Sequence, residues 1–218
     1  KKADILVYGI EKKYNCTSFK LRINSKTIIH SNTYKFTIST IGDHNILNAT
    51  ASIIASKLVG VKNTAINNAL KNYIGVKRRF TFLGQKNNSF IYDDYAHHPT
   101  EILATLNAAK TLKNNIVVVF QPHRYTRTKI LMKEFINVLS KINDLVLLKT
   151  YSAGEKIIKG STSKDIYNRL IKSDKNVIYL ENPKNLKKIL DNYIVKHNTI
   201  IFMGAGSISS LANKYFNN

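Results

Sequence analysis

The string Asp93-Asp94-Tyr95-Ala96-His97-His98 sets two carboxylates, a phenol and two imidazoles side by side, and Pro99-Thr100-Glu101 follows at once. Imidazoles can donate to an oxyanion or move a proton near neutral pH. A carboxylate such as Asp94 can accept from ribose hydroxyls or from an ammonium group. A second string, Gln121-Pro122-His123-Arg124-Tyr125-Thr126-Arg127, adds an imidazole and two guanidiniums able to grip a carboxylate or phosphate through paired hydrogen bonds. A third, Gly204-Ala205-Gly206, is by itself a weak signal for any nucleotide site. Each also has a plain reading: helix capping for His-His-Pro, solvation for adjacent acids. The three together on one surface would point to anion handling.

The elements around them supply that surface. Ser89 to Tyr92, Ile116 to Phe120 and Thr199 to Met203 are short apolar runs, and each runs straight into one of the strings. Pro99 suits a first helical position and Glu101 favours the positive end of a new helix, so Asp93 to His98 read as a strand-to-helix loop. Strands at 89–93, 115–120, 144–149, 176–180 and 199–203 alternate with helices at 99–112, 127–141, 161–172, 183–195 and from Ser207 onward. That alternation predicts βαβ units: an α/β domain with a Rossmann-like, mostly parallel, doubly wound sheet. Parallel strands share one carboxyl edge, so the three loops are expected to converge there.

Upstream, four short β-like runs at 5–9, 18–23, 27–30 and 34–39 suggest a meander or a sheet edge without chemistry of its own. A helix then opens at Gly42 and runs to about Leu58, with Ile46, Leu47, Ala51, Ile54 and Leu58 near helical spacing. Asn45 and Asn48 share one face of it and can present two amides to a ligand, capping being the plainer reading. A second helix spans about 63–72 and stops at Gly75. A basic run then leads to a new strand over Phe80 to Leu83, so the boundary predicts two domains, 1–77 and 78–218.

Composition narrows the class. The chain of 218 residues is 44% hydrophobic, long enough for two modest cores. Lys and Arg number 34 against 13 acidic residues, a net charge of +21. Lys is spread along the chain and Arg is scarce, which favours solvated lysines over a nucleic-acid groove and leaves a basic shell suited to small polyanions. A single Cys16 excludes an internal disulfide, and a reducing cytoplasm fits. HExxH and paired CxxC spacings are absent, so no metal site is expected in the chain. No apolar run approaches the ~20 residues of a membrane span. The chain starts at Lys1 without Met and runs almost at once into an apolar segment, so an N-terminal portion is expected upstream.

Asp93 to Glu101, Phe120 to Thr128 and His44-Asn45-Ile46-Leu47-Asn48 together resemble the Mur ligase family, and Tyr151-Ser152-Ala153-Gly154-Glu155 and Gly204 to Ser207 fit it as well. The resemblance covers essentially the whole chain. It implies that 1–77 is the tail of a central ATP-binding domain, short strands plus helices, and 78–218 a C-terminal domain that brings the amino acid. It further implies ATP-dependent joining of L-alanine to UDP-N-acetylmuramate through an acyl phosphate, a cytoplasmic step in peptidoglycan precursor synthesis. By the same resemblance His44, Asn45 and Asn48 hold the adenine side of ATP, while Arg79 and Asp94 hold its phosphates and ribose. Tyr95, His97, His123, Arg124 and Arg127 line the pocket for the amino acid and the intermediate, with the last four as the catalytic set. The P-loop and the Mg²⁺ ligands are expected upstream of Lys1, so the chain alone should be inactive. Ser207 departs from the pattern, which has Asp there. A sister ligase that attaches a recycled tripeptide is the nearest alternative, and the His-Arg-Tyr-Thr-Arg string over 123–127 argues against it. From other classes, the alternatives are a basic nucleic-acid-binding module and a noncatalytic remnant.

Overall fold

A computed structural model describes residues 3–12, 16–24, 32–40, 42–112, 114–172, 175–194 and 198–217. They form two compact units, Lys1–Gly75 and Val76–Asn218.

The first unit is a small antiparallel sheet backed by two helices. Strands β1 (Ile5–Lys12), β2 (Thr17–Ile23) and β3 (Asn32–Ile38) pair in that order. Along β2 the alternation Phe19, Leu21, Ile23 faces inward and Lys20, Arg22 outward, the two-residue period of a half-buried strand. Helix α1 (Asp43–Leu58) and α2 (Asn63–Lys71) close the core with Ile46, Ala49, Ile53 and Ile66. The face of α1 differs from expectation. Ile46 is buried, but Leu47 is 67% and Leu58 50% exposed, because α1 carries two apolar stripes and the sheet takes the one through Ala49 and Ile53. The β-like run expected at 27–30 lies outside the described residues.

The second unit is a six-stranded sheet with helices on both faces, in the order β4-β5-β9-β6-β7-β8. Its strands are β4 (Thr81–Lys86), β5 (Ser89–Asp94), β6 (Asn115–Phe120), β7 (Asp144–Leu148), β8 (Asn176–Leu180) and β9 (Asn198–Met203). All neighbours run parallel except β4, which turns back on β5 through Asn87 and Asn88, both at positive φ as a tight hairpin requires. Every residue of β9 is buried, and β6 is buried from Val117 onward, which explains their unbroken apolar sequences. One face packs Val117, Val119, Ile200 and Phe202 under α7 (Leu186–Ile194) and α8 (Ile208–Asn217). The pleat turns Val118, Phe120, Ile201 and Met203 to the other face. Helices α3 (Pro99–Lys110), α5 (Met132–Leu139) and α6 (Ser163–Leu170) contact one another in chain order. The expected mostly parallel, doubly wound architecture is what forms.

Three local expectations shift. The single helix over 127–141 is two, α4 (Tyr125–Ile130) and α5, broken at Leu131, whose φ of −100° and ψ of 22° leave the helical region. The break lets Met132, Phe135, Val138 and Leu139 all reach the core. Strand β4 begins after Phe80, which sits at positive φ. Strand β5 continues through Asp93 and Asp94, paired with Phe202 and Met203, so the loop is only 95–98.

Candidate functional site

Three strand ends stand side by side. Asp94 of β5 pairs with Met203 of β9, and Met203 pairs with Phe120 of β6, so all three loops leave the sheet at one level. The convergence expected from the sequence is met.

The first loop is fixed from beneath by Asp94. Its two oxygens accept from Phe80 N–H (2.7 Å) and Ala96 N–H (2.6 Å), and the side chain is almost wholly buried. Burial pushes its carboxyl above the ordinary range, with those two amides, Thr105 and Arg79 pulling the other way. With both oxygens engaged, Asp94 acts here as a tie between the loop and the Phe80 turn. Asp93 is buried beside it, accepts from Ser209, and lies 3.9 Å from Arg78 Nε; burial raises its carboxyl as well.

The two adjacent histidines divide their work. His98 caps α3 by accepting from Thr100 N–H, and Glu101 Oε2 accepts from the N–H groups of His97 and His98, a reciprocal capping box. His98 is thereby spent on structure, as its plain reading held. Burial pushes the Glu101 carboxyl up, but the two amides with the nearby His97 and Arg79 outweigh it, and the net direction is down. His97 instead turns its Nδ1 to Tyr95 O (2.9 Å) and sets its ring edge-on to Tyr95. Arg78 and Arg79 lie over the same Tyr95 ring, 4.7 and 5.7 Å from its centre.

The second loop is laced to residues 151–155, which follow β7. Tyr151 N–H donates to Pro122 O and Arg124 N–H to Tyr151 O, at 2.9 and 2.8 Å. The Tyr151 ring stacks on His123 with centres 5.4 Å apart. Arg124 has φ 71° and ψ 133°, a conformation rare for a residue with a side chain and worth about 1–3 kcal/mol of strain. Glu155 holds it: Oε1 accepts from Arg124 Nε (2.9 Å) and Thr126 Oγ1 (2.7 Å), and Oε2 accepts from Thr126 N–H (3.0 Å). Those bonds keep the Glu155 carboxyl below its ordinary range. Arg127 reaches back one turn, its terminal nitrogen 3.3 Å from His123 Nδ1 and 3.4 Å from His123 O. Burial first, then the charges of Arg127, His97 and Arg124, hold the His123 imidazole below its usual value. The ring is therefore uncharged at neutral pH. The His97 and His123 rings lie 6.0 Å apart.

The third loop is a spacer that must be thin. A Cβ on Gly204 would stand 2.7 Å from Gln121 O, and one on Gly206 would stand 2.7 Å from Tyr151 Cγ and 2.8 Å from Gln121 Oε1. Arg78 donates to the carbonyls of both glycines, at 2.5 and 3.3 Å. Ser207 accepts from Gln121 Nε2, so the departure from Asp leaves the turn packed.

Tyr95, His97, His123, Arg124 and Arg127 thus form one linked patch, with Arg79 at its margin and Asp94 below. Arg78, Tyr151 and Glu155 belong to its framework. Their sequence signals were an arginine before a strand and a Tyr-to-Glu string after one, both legible only once the strand order is known.

In the first unit, Asn45 and Asn48 line a groove of about 490 Å³ between α1 and α2, with Ser52, Ser56, Ala65 and Tyr73. His44 lies in the first turn of α1 beside Gly42. Among the described residues no group of three His, Cys, Asp or Glu side chains is placed to hold a metal ion, and no helix is long and apolar enough to cross a membrane.

A family model described as the Mur ligase, glutamate ligase domain matches residues 78–206. The UDP-N-acetylmuramate–L-alanine ligase of Carboxydothermus hydrogenoformans is 44% identical over 174 residues, covering 79% of this chain and 38% of that protein. The Hydrogenobaculum enzyme of the same name is 38% identical over 221 residues, 97% of this chain and 48% of that one. The crystal structure of UDP-N-acetylmuramate–alanine ligase from Thermotoga maritima superposes with a TM-score of 0.79 at 25% identity, over 100% of this chain and 46% of that one. The chain spans less than half the length of each of these relatives.

Proposed function

The chain belongs to the Mur ligase family, and from that premise we propose that it is the amino-acid-receiving half of an ATP-dependent ligase that joins L-alanine to UDP-N-acetylmuramate. The observation that carries this reading is the loop of neutral His123 with the cations Arg124 and Arg127, set against Tyr95 and His97 at one sheet edge. Its likeness to the L-alanine ligases over 97% of the chain supports the choice of substrate.

In that reaction the terminal phosphoryl group of ATP passes to the lactyl carboxylate, giving an acyl phosphate and ADP. The amine of L-alanine then attacks the acyl carbon, and the tetrahedral intermediate expels inorganic phosphate to leave the amide. A small zwitterion needs a cationic clamp for its carboxylate, which Arg124 and Arg127 supply. Its ammonium must shed a proton before the nitrogen can attack, and the uncharged imidazole of His123 takes it. Tyr95 and His97 wall the pocket and, with the clamp, fix the amine in line with the acyl carbon. Arg79 meets phosphate oxygens. Asp94 serves the nucleotide through the loop it ties, since its oxygens already have donors. His44, Asn45 and Asn48 receive the adenine, whose flat apolar body and polar edge suit a groove with two amides. Mg²⁺ would screen the phosphate charges; among the described residues no group of three His, Cys, Asp or Glu side chains is placed to hold it. Supply of ATP and a UDP-sugar places the work in the cytoplasm.

The test is release of phosphate by the full-length protein given ATP, Mg²⁺, UDP-N-acetylmuramate and one acceptor. Release that depends on L-alanine is the expected result. Release with the recycled tripeptide in place of L-alanine would turn the reading to the sister ligase. No release with either, together with tight and steeply salt-dependent binding to DNA or RNA, would overturn both in favour of the basic binding module.

A further inference from the structure

Glu155 lies on a loop that the reaction above does not use, yet it is bound directly to the clamp. Arg124 Nε and the hydroxyl and N–H of Thr126 donate to its two oxygens, and the Tyr125 backbone adds to them. The hydrogen bond from Arg124 is made by Nε, at 2.9 Å. A guanidinium held at Nε leaves the end-on edge formed by its two terminal nitrogens, one of the two edges that can meet a carboxylate through paired hydrogen bonds. The exposures agree: the Arg124 side chain is 49% exposed, whereas Glu155 is 16% exposed. Tyr151, four residues earlier, binds the Arg124 backbone and stacks on His123, so one short loop sets both the clamp and the imidazole.

Resting on the ligase reading, we propose that Glu155 is a positioning residue for substrate carboxylate recognition. It orients the terminal edge of Arg124 toward the amino acid and balances one of the cations beside His123. Without it, the Arg124 guanidinium loses this anchor and keeps its charge, so it still attracts the substrate carboxylate but offers it no fixed geometry.

The test compares L-alanine with L-alaninamide, which has the amine but no carboxylate, in the full-length protein. For Glu155→Ala, kcat/KM for L-alanine should fall on the order of tenfold or more, the scale of one oriented charge-assisted contact. The value for L-alaninamide should change less than about twofold by the same argument, and KM for ATP should hold. A purely structural role would lower both acceptors together, and that result overturns the proposal. Should the Ala variant fail to fold, Glu155→Gln, which keeps an acceptor for Thr126, takes its place with the same two acceptors and a smaller selective loss. Wild-type protein inactive with L-alanine would instead overturn the ligase reading itself, a distinct outcome.

Discussion

The groove of the first unit and the sheet edge of the second are built on opposite principles. The groove is lined by Asn45, Asn48, serines and apolar side chains, and among the described residues no charged one lines it. The edge is crowded with charge, and nearly every charged side chain there is tied by a named bond: Asp94 to two amides, Glu101 to two amides, Glu155 to Arg124 and Thr126. A groove selects by shape and two amides, so its parts can be changed singly at modest cost. A preorganised charge cluster selects by direction, and removing one member should unsettle the rest.

Arg124→Ala should produce the largest difference between the two regions. Truncating one partner of a charged contact costs about 2–5 kcal/mol, so kcat/KM for L-alanine should drop about 100-fold or more. KM for ATP should stay within about twofold, because the lost charge has no place in the groove. Equal effects on both substrates would erase the division between the regions.

Arg78→Ala probes the same edge through stability. Arg78 bonds two glycine carbonyls, lies over Tyr95 and is the nearest cation to buried Asp93. Its removal should lower unfolding free energy by about 2 kcal/mol, measured by urea denaturation, given two lost bonds from a charged donor that is itself part-exposed. A loss no greater than that of Arg79→Ala, whose guanidinium is nearly half exposed, would count against this framework role.

In the groove the expected effect is smaller. Asn48→Ala should raise KM for ATP several-fold, from about 1 kcal/mol for a neutral hydrogen bond, and leave KM for L-alanine alone. An effect on L-alanine as large as on ATP would mean the two regions share one ligand-binding function.

The edge was legible because β5, β6 and β9 are buried on both sides and so read as plain apolar runs, two emptying into polar strings and one into a glycine turn. What stayed hidden required pairing across distance. Asp93 and Asp94 look like loop residues, and only the parallel partner β9, more than a hundred residues on, makes them strand. The break at Leu131 was hidden because Ile130, Leu131 and Met132 continue the apolar pattern without a Gly or Pro. In α1 two apolar stripes compete, and the sequence does not say which one the sheet will take. Glu155 shows locally only the Tyr-to-Glu string after β7, and its partners stayed hidden because Arg124 and Thr126 lie 31 and 29 residues earlier.

The smallest expected effect is on pH dependence, and it too separates the regions. The folded protein holds the His123 imidazole below the ordinary value near 6.5. In the unfolded chain that imidazole takes up a proton as pH falls through the ordinary value, while in the folded state it resists. The unfolded state then binds more protons, so stability contributed by the neutral ring is present above that pH and is lost as pH falls below it. His123→Gln, which cannot titrate, should flatten the fall in urea midpoint between pH 7 and pH 5.5, whereas Asn48→Ala should leave its slope unchanged. The same substitution should remove the acidic limb of the L-alanine rate profile, because the proton acceptor is gone at every pH. An unchanged stability slope would mean that the charge crowd of Arg124 and Arg127 does not act on His123, and a surviving acidic limb would mean that another group takes the proton.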